Sequence, residues 1–174
     1  MLRKPAAKSR KRGLSLLEMM AATAIMAMIT ASVVVVMRSG YAVWNAQEAD
    51  IDVLENGYGV LRHFFTQMRQ AASVSAITAS NNTQGSLSFT TSTGATRTWA
   101  RDASSNVYFN NGTLNQLLAK NILSLTFTGY KADGTTTTTT VTDIQVVQCQ
   151  VQITLPRGAG LTRTLTCRAW VRSW

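Results

Sequence analysis

Between Leu14 and Met37 the chain carries one charged residue, Glu18. The other positions are Leu, Met, Ala, Ile and Val with a few Ser and Thr. A membrane-spanning helix needs about 20 mostly apolar residues. This run would rise about 36 Å as an α-helix, enough to cross. The apolar region of a cleaved secretory signal is shorter, about 7–15 residues, and ends in a small-x-small pattern. No such pattern follows here. Ahead of the run lie Arg3, Lys4, Lys8, Arg10, Lys11 and Arg12. The positive-inside rule predicts that this tail stays in the cytoplasm and that residues after Arg38 lie outside. The formal net charge of +9 is therefore mainly a property of the tail, since eleven basic and eight acidic residues make up the remainder.

Two features go beyond a plain anchor. Gly13 separates the basic tail from the apolar run, and Glu18 is an acid inside it. A carboxylate in a spanning helix costs about 2.5–3.5 kcal/mol at the centre and less near an end. Such a group needs a partner, and no basic side chain lies nearby on the apolar side. The stretch Arg12-Gly13-Leu14-Ser15-Leu16-Leu17-Glu18-Met19 resembles the class III signal of type IV pilins and type II secretion pseudopilins. The resemblance implies that a prepilin peptidase cuts after Gly13 and N-methylates Leu14, the new first residue. Glu18 is then the fifth mature residue, where the family has its Glu. Leu14 stands where the family more often has Phe, and no Pro interrupts Leu14 to Met37.

Cleavage creates an α-amine with an ordinary pKa near 7.7–8.0, mostly protonated at neutral pH. In an apolar layer that cation needs an anion, and Glu18 is the only one in this segment. The resemblance implies that the Glu of one subunit pairs with the amine of a neighbour, which makes Glu18 an assembly residue.

From Trp44 the apolar residues keep helical spacing: Ile51, Leu54, Tyr58, Leu61, Phe65, Met68 and Ala72. The spacing predicts an amphipathic helix with one buried face. Gly57 and Gly59 each cost about 1 kcal/mol relative to Ala in a helix, which predicts a bend or a close backbone contact there. His63, the one histidine, reads as a helix-surface residue. The segment Leu61 to Ala72 resembles the end of that helix in J-type minor pseudopilins and W-type minor pilins.

After Ala72 the composition turns to Ser, Thr, Asn and Gly, and Ser73 to Gly85 reads as a loop. Leu87–Thr90 and Arg97–Trp99 read as a hairpin, and Asn110-Asn111-Gly112 as a turn after Val107–Phe109. Ile122 to Tyr130 alternates with Leu123, Leu125 and Phe127 on one face, and the six threonines Thr135–Thr140 read as an exposed edge strand or loop. The last two strands form the clearest hairpin, with Val147, Cys149, Val151, Ile153 and Leu155 facing one way. Symmetry about Gly158 places Cys149 opposite Cys167. Opposed Cβ atoms lie about 4.5–5.5 Å apart, slightly wide for a disulfide. A bridge and two buried thiols both remain open.

Chemistry finds little to work with. The 45% hydrophobic and 14% charged composition excludes a disordered chain, and two cysteines exclude a four-Cys zinc site. A single His gives no catalytic triad. Asp102, Asp133 and Asp143 are scattered and form no EF-hand. Basic residues after the membrane run are spread out, so no nucleic acid is expected as a partner. Arg168, Trp170, Arg172 and Trp174 share a strand face that could stack bases or pack on a neighbouring subunit.

The expected fold class is α+β: a long N-terminal helix, membrane-spanning in its first half, packed on a small antiparallel sheet. The expected parts are a basic leader (1–13), an assembly helix (14–37), its amphipathic continuation (38–72) and a β-rich extracytoplasmic domain (73–174). The expected function is structural: a minor pseudopilin of a type II secretion pseudopilus, single-pass in the inner membrane with its N-terminus cytoplasmic. No enzyme activity, cofactor, metal or small-molecule substrate is expected. The expected partners are the prepilin peptidase and other pilin-like subunits. The alternatives are a minor type IV pilin and an unprocessed, anchored binding domain.

Overall fold

The computed structural model describes residues 15–112, 115–156 and 160–171. Helix α1 runs Leu16–Met68, and strands β1 (Ala71–Ile77), β2 (Ser86–Thr91), β3 (Thr96–Arg101), β4 (Val107–Asn110) and β5 (Asn115–Ala119) follow. Then come β6 (Ile122–Tyr130), β7 (Thr137–Thr138), a 3-10 turn Val141–Asp143, β8 (Val146–Thr154) and β9 (Thr162–Trp170). The chain divides into two compact units, 1–44 and 45–174.

The second unit holds the core. Where one sheet was expected there are two: β1-β2-β3-β4-β5 and β7-β6-β8-β9, with every strand pairing antiparallel. The α1 residues Val60, Leu61, Phe64 and Met68 join the buried cluster. Phe64 touches both sheets, its ring centroid 5.4 Å from Trp99 on β3 and 5.9 Å from Phe127 on β6. Burying such a large apolar side chain contributes about 1.5–3 kcal/mol each. The two sheets are tied by main-chain bonds. Gly85 N–H donates to Leu125 O at 2.7 Å, and Leu125 N–H donates to Thr83 O at 3.0 Å. A Cβ on Gly85 would strike Leu125 O, so that crossing requires glycine.

Several expectations shift. The helix ends at Met68 rather than Ala72, because Ala71 instead opens β1, opposite Thr91. The segment read as a loop from Ser73 is largely this strand. The buried face of α1 is Gly57, Val60, Leu61, Phe64 and Met68, which leaves Ile51, Tyr58 and Phe65 exposed. Gly57 accounts for the rotation, since a Cβ there would meet Leu165 Cδ1 at 2.8 Å; the helix backbone approaches β8 and β9 on that side. Gly59 has no such contact. On β6 a register shift between Ile122 and Ser124 turns Leu123 outward and buries Ile122, Leu125 and Phe127. The six-threonine run does form an edge: β7 pairs with β6 through Thr137 and Thr138.

His63 is not a plain surface residue. Trp99 Nε1–H donates to His63 Nδ1 at 3.1 Å, and the imidazole meets Phe109 edge-on at 4.5 Å. Burial, and then the nearby Arg97 guanidinium, hold its pKa below the ordinary value. Nδ1 can accept only when the ring is neutral. The unfolded chain therefore takes up the proton first, and stability is complete above about pH 6.5 and falls as the pH drops below it. The urea midpoint of the full chain in detergent should fall between about pH 7 and pH 5. His63→Gln, which keeps an acceptor but does not titrate, should flatten that fall; an unchanged slope would remove His63 as its source.

The N-terminal segment as candidate functional site

Gly13 and Leu14, the expected cleavage and methylation residues, lie outside the described residues. The structure begins at Ser15, and its first turn has a definite geometry. Glu18 N–H donates to Ser15 Oγ at 3.2 Å, while Ser15 N–H donates to Glu18 Oε2 at 2.9 Å. Met19 N–H donates to Ser15 O at 3.2 Å, which makes Ser15 the N-cap. This reciprocal pair is a capping box, in which a Ser and a Glu three residues on satisfy two of the donors that a helix start leaves open. The carboxylate also sits at the positive end of the helix dipole. Sequence reasoning missed this local partner for Glu18, although the Ser-x-x-Glu spacing signals it.

The apolar run is exposed on both sides of Glu18. Leu16 is 80% and Leu17 78% accessible, and the most apolar stretch has no residue buried within the chain. Hydroxyl groups on this segment are satisfied along the helix itself. Thr23 donates to Met20 O, Thr30 to Met26 O, Ser32 to Met28 O and Ser39 to Val36 O, all at 2.8–2.9 Å. Such back-bonding lets a hydroxyl sit in an apolar medium without an orphaned donor. Helix α1 is long and apolar enough to cross a membrane.

The other candidate residues are placed as follows. Cys149 and Cys167 face each other in the β8–β9 register, both as free thiols, Cys149 buried and Cys167 half-buried. Burial pushes both thiol pKa values up, that of Cys167 to about 11. Asp102 accepts from Asn106, Asp133 from Thr135 and Thr136, and Asp143 pairs with Lys131 at 3.8 Å. Asp102 and Asp133 thus each serve their own turn, Asp143 meets a lysine just past the end of β6, and among the described residues no three His, Cys, Asp or Glu converge. The Arg168 guanidinium lies 4.6 Å over the Tyr130 ring and donates through Nε to Gln148 Oε1 at 2.8 Å. Arg172 and Trp174 of that basic and aromatic group lie outside the described residues.

An apolar helix whose first turn holds a carboxylate, with a basic tail before it, is the arrangement of a membrane-anchored precursor. Residues 8–34 match the family model of the prokaryotic N-terminal methylation motif. The chain carries a class III prepilin signal followed by a long apolar helix and is pilin-like in that respect. No curated protein and no solved structure gave a significant match.

Proposed function

We propose that the chain is a structural filament subunit, a minor pseudopilin of a type II secretion pseudopilus. It is made as a precursor, cut after Gly13 and N-methylated on Leu14. The observation that carries this reading is the methylation motif over residues 8–34 with Glu18 inside it. The exposed apolar first part of α1 supports the reading, since its most apolar stretch buries nothing within its own chain and is available to lipid and to neighbouring helices. The basic tail faces the cytoplasm and the sheets lie outside it. Glu18 neutralises the amine of an adjacent subunit and sets the axial register.

The deciding experiment is the intact mass of the chain made with and without a prepilin peptidase. Loss of residues 1–13 only in the peptidase's presence, with or without one added methyl, is the expected result. A persistent precursor would make the chain an anchored binding domain instead. Co-purification of the processed chain with pseudopilins rather than with type IV pilins is expected in a host that makes both.

An extracytoplasmic sheet domain folds under oxidising conditions. There Cys149 and Cys167 close a cross-strand disulfide, passing two protons and two electrons to an external disulfide oxidant. Directly opposed residues that share ladder bonds have Cα atoms about 5.5 Å apart, within the disulfide range of roughly 4.4–6.8 Å. Thiolate is scarce at these raised pKa values, so the bond forms before α1 closes over the sheet. The chain isolated from the periplasm and denatured should take up no alkylating agent until reduced, and then two equivalents. Two adducts without reductant would refute the bridge.

A further inference from the structure

The phase of the ladder in the four-stranded sheet can be fixed from its ends. In an antiparallel pair, a residue turns its N–H and C=O either both toward its partner strand or both away, in strict alternation. Leu125 on β6 gives its N–H to Thr83 and receives the Gly85 N–H, both on the side away from β8. Leu125 stands opposite Val151, so Val151 turns its main-chain groups toward β9 and Leu165. Two-residue steps put Cys149 with Cys167 and Val147 with Ala169 in the same bonded phase. The hairpin ends agree: Leu155 N–H donates to Leu161 O at 2.8 Å, and Val171 N–H to Gln145 O at 2.9 Å.

It follows that Thr162, Thr164, Thr166, Arg168 and Trp170 point their N–H and C=O groups outward from β9. Among the described residues no strand pairs with that edge. All five are exposed, Trp170 to 61%. An open edge of nine residues invites another chain, and proteins usually blunt such edges with Pro, Lys or a bulge. β9 has no Pro, no Lys and no register shift against β8.

Beside the edge lies an open groove of about 640 Å³. Its walls include Tyr58, Leu61 and Phe65 of α1 and Cys167 of β9, with Glu55 and Arg62. The rotation of α1 that left Tyr58 and Phe65 exposed is what gives the groove its apolar walls. β9 has no acid and carries an exposed Arg163, while its Arg168 guanidinium turns inward over Tyr130 of β6; Arg62 adds a second cation at the groove.

We propose that the outer edge of β9 docks an extended, net acidic strand of another protein, alternating apolar and polar residues. Its backbone adds a fifth strand to the sheet, and its apolar side chains enter the groove. Main-chain bonds then supply affinity, and the groove with Arg163 and Arg62 supplies selectivity. A second copy of this chain would bring arginines to arginines, which disfavours it as the occupant. The edge exists whether or not the chain enters a filament, so the proposal is independent of the one above.

The test uses the full chain in detergent micelles and amide hydrogen exchange read residue by residue. The probe is a nine-residue peptide in which Val alternates with Glu or Thr. Alone, the amides of Leu165 and Cys167 should exchange slowly and those of Thr164, Thr166 and Arg168 fast. The peptide should slow the second set. Its Lys counterpart, and a version N-methylated at alternate residues, should bind about tenfold more weakly or worse. Thr166→Pro removes an outward N–H without touching the β8 ladder and should weaken binding by a similar factor. If that variant misfolds, the N-methylated peptide decides the matter. Protection that leaves the outward set fast, equal binding of acidic and basic peptides, or protection that grows with protein concentration alone would each overturn the proposal.

Discussion

Glu18→Gln should leave cleavage intact and keep the processed chain out of filaments, whereas Ser15→Ala should still enter them. The two substitutions separate the helix cap of this carboxylate from its proposed pairing with a neighbour's amine. Gln can serve in a capping box as Glu does, so Glu18→Gln preserves the bonds with Ser15 and removes only the charge. In a filament, the neighbour's amine is then buried without its anion. Breaking a buried pair in this way costs about 3–5 kcal/mol, which is a factor of roughly a hundred or more in partition. Ser15→Ala does the reverse. It removes a cap worth about 0.5–2 kcal/mol and frays the first turn, but the charge remains. The readout is the fraction of processed chain that co-sediments with sheared filaments. Normal incorporation of Glu18→Gln would reduce Glu18 to a helix cap.

Trp99→Ala should cost about 3–5 kcal/mol of unfolding free energy, as large aromatic truncations in cores do. Domains of this kind hold about 5–15 kcal/mol in all. Trp99 has no accessible surface. Its ring stacks on Phe89 at 5.0 Å and meets Phe109 at 5.1 Å and Phe64 at 5.4 Å. The three neighbours come from β2, β4 and α1, so the ring joins the helix to the first sheet. Truncation also leaves His63 Nδ1 without its donor. Trp99→Phe, which keeps a ring but loses the N–H, should cost clearly less. Urea unfolding of the full chain in detergent measures both. A loss under about 1 kcal/mol for Trp99→Ala would mean that the site collapses without a cavity.

The signal segment and the last hairpin were readable because each rests on strictly local rules. Gly13 and Glu18 stand at fixed offsets around an uninterrupted apolar run. β8 and β9 alternate in hydropathy about a symmetric turn, so the pairing of Cys149 with Cys167 followed from counting alone. The face of α1 did not, because which side is buried was decided by Gly57 and by Leu165 and Ile153, residues far along the chain. β1 was hidden for a similar reason. Ala71-Ala72-Ser73-Val74-Ser75 has weak strand character on its own, and it is ordered by β2. The shift at Ile122 moved one leucine outward and could not be seen from alternation, since a bulge breaks the period it would be judged by. His63 read as surface because its partner, the Trp99 indole, is 36 residues away.

The five strands of the first sheet lie in the same order in space as in sequence. Each can pair with its predecessor as soon as the chain delivers it, and loops this short close quickly. The second sheet is built otherwise. β6 waits for β8, the inner thiol-bearing strand, and β8 is flanked on its far side only when the final residues of β9 arrive. As the chain is delivered, the first sheet can therefore be nearly complete while the second is still half built. Cys149 and Cys167 can come together only once β9 has followed β8, after the strands of the first sheet have had time to pair.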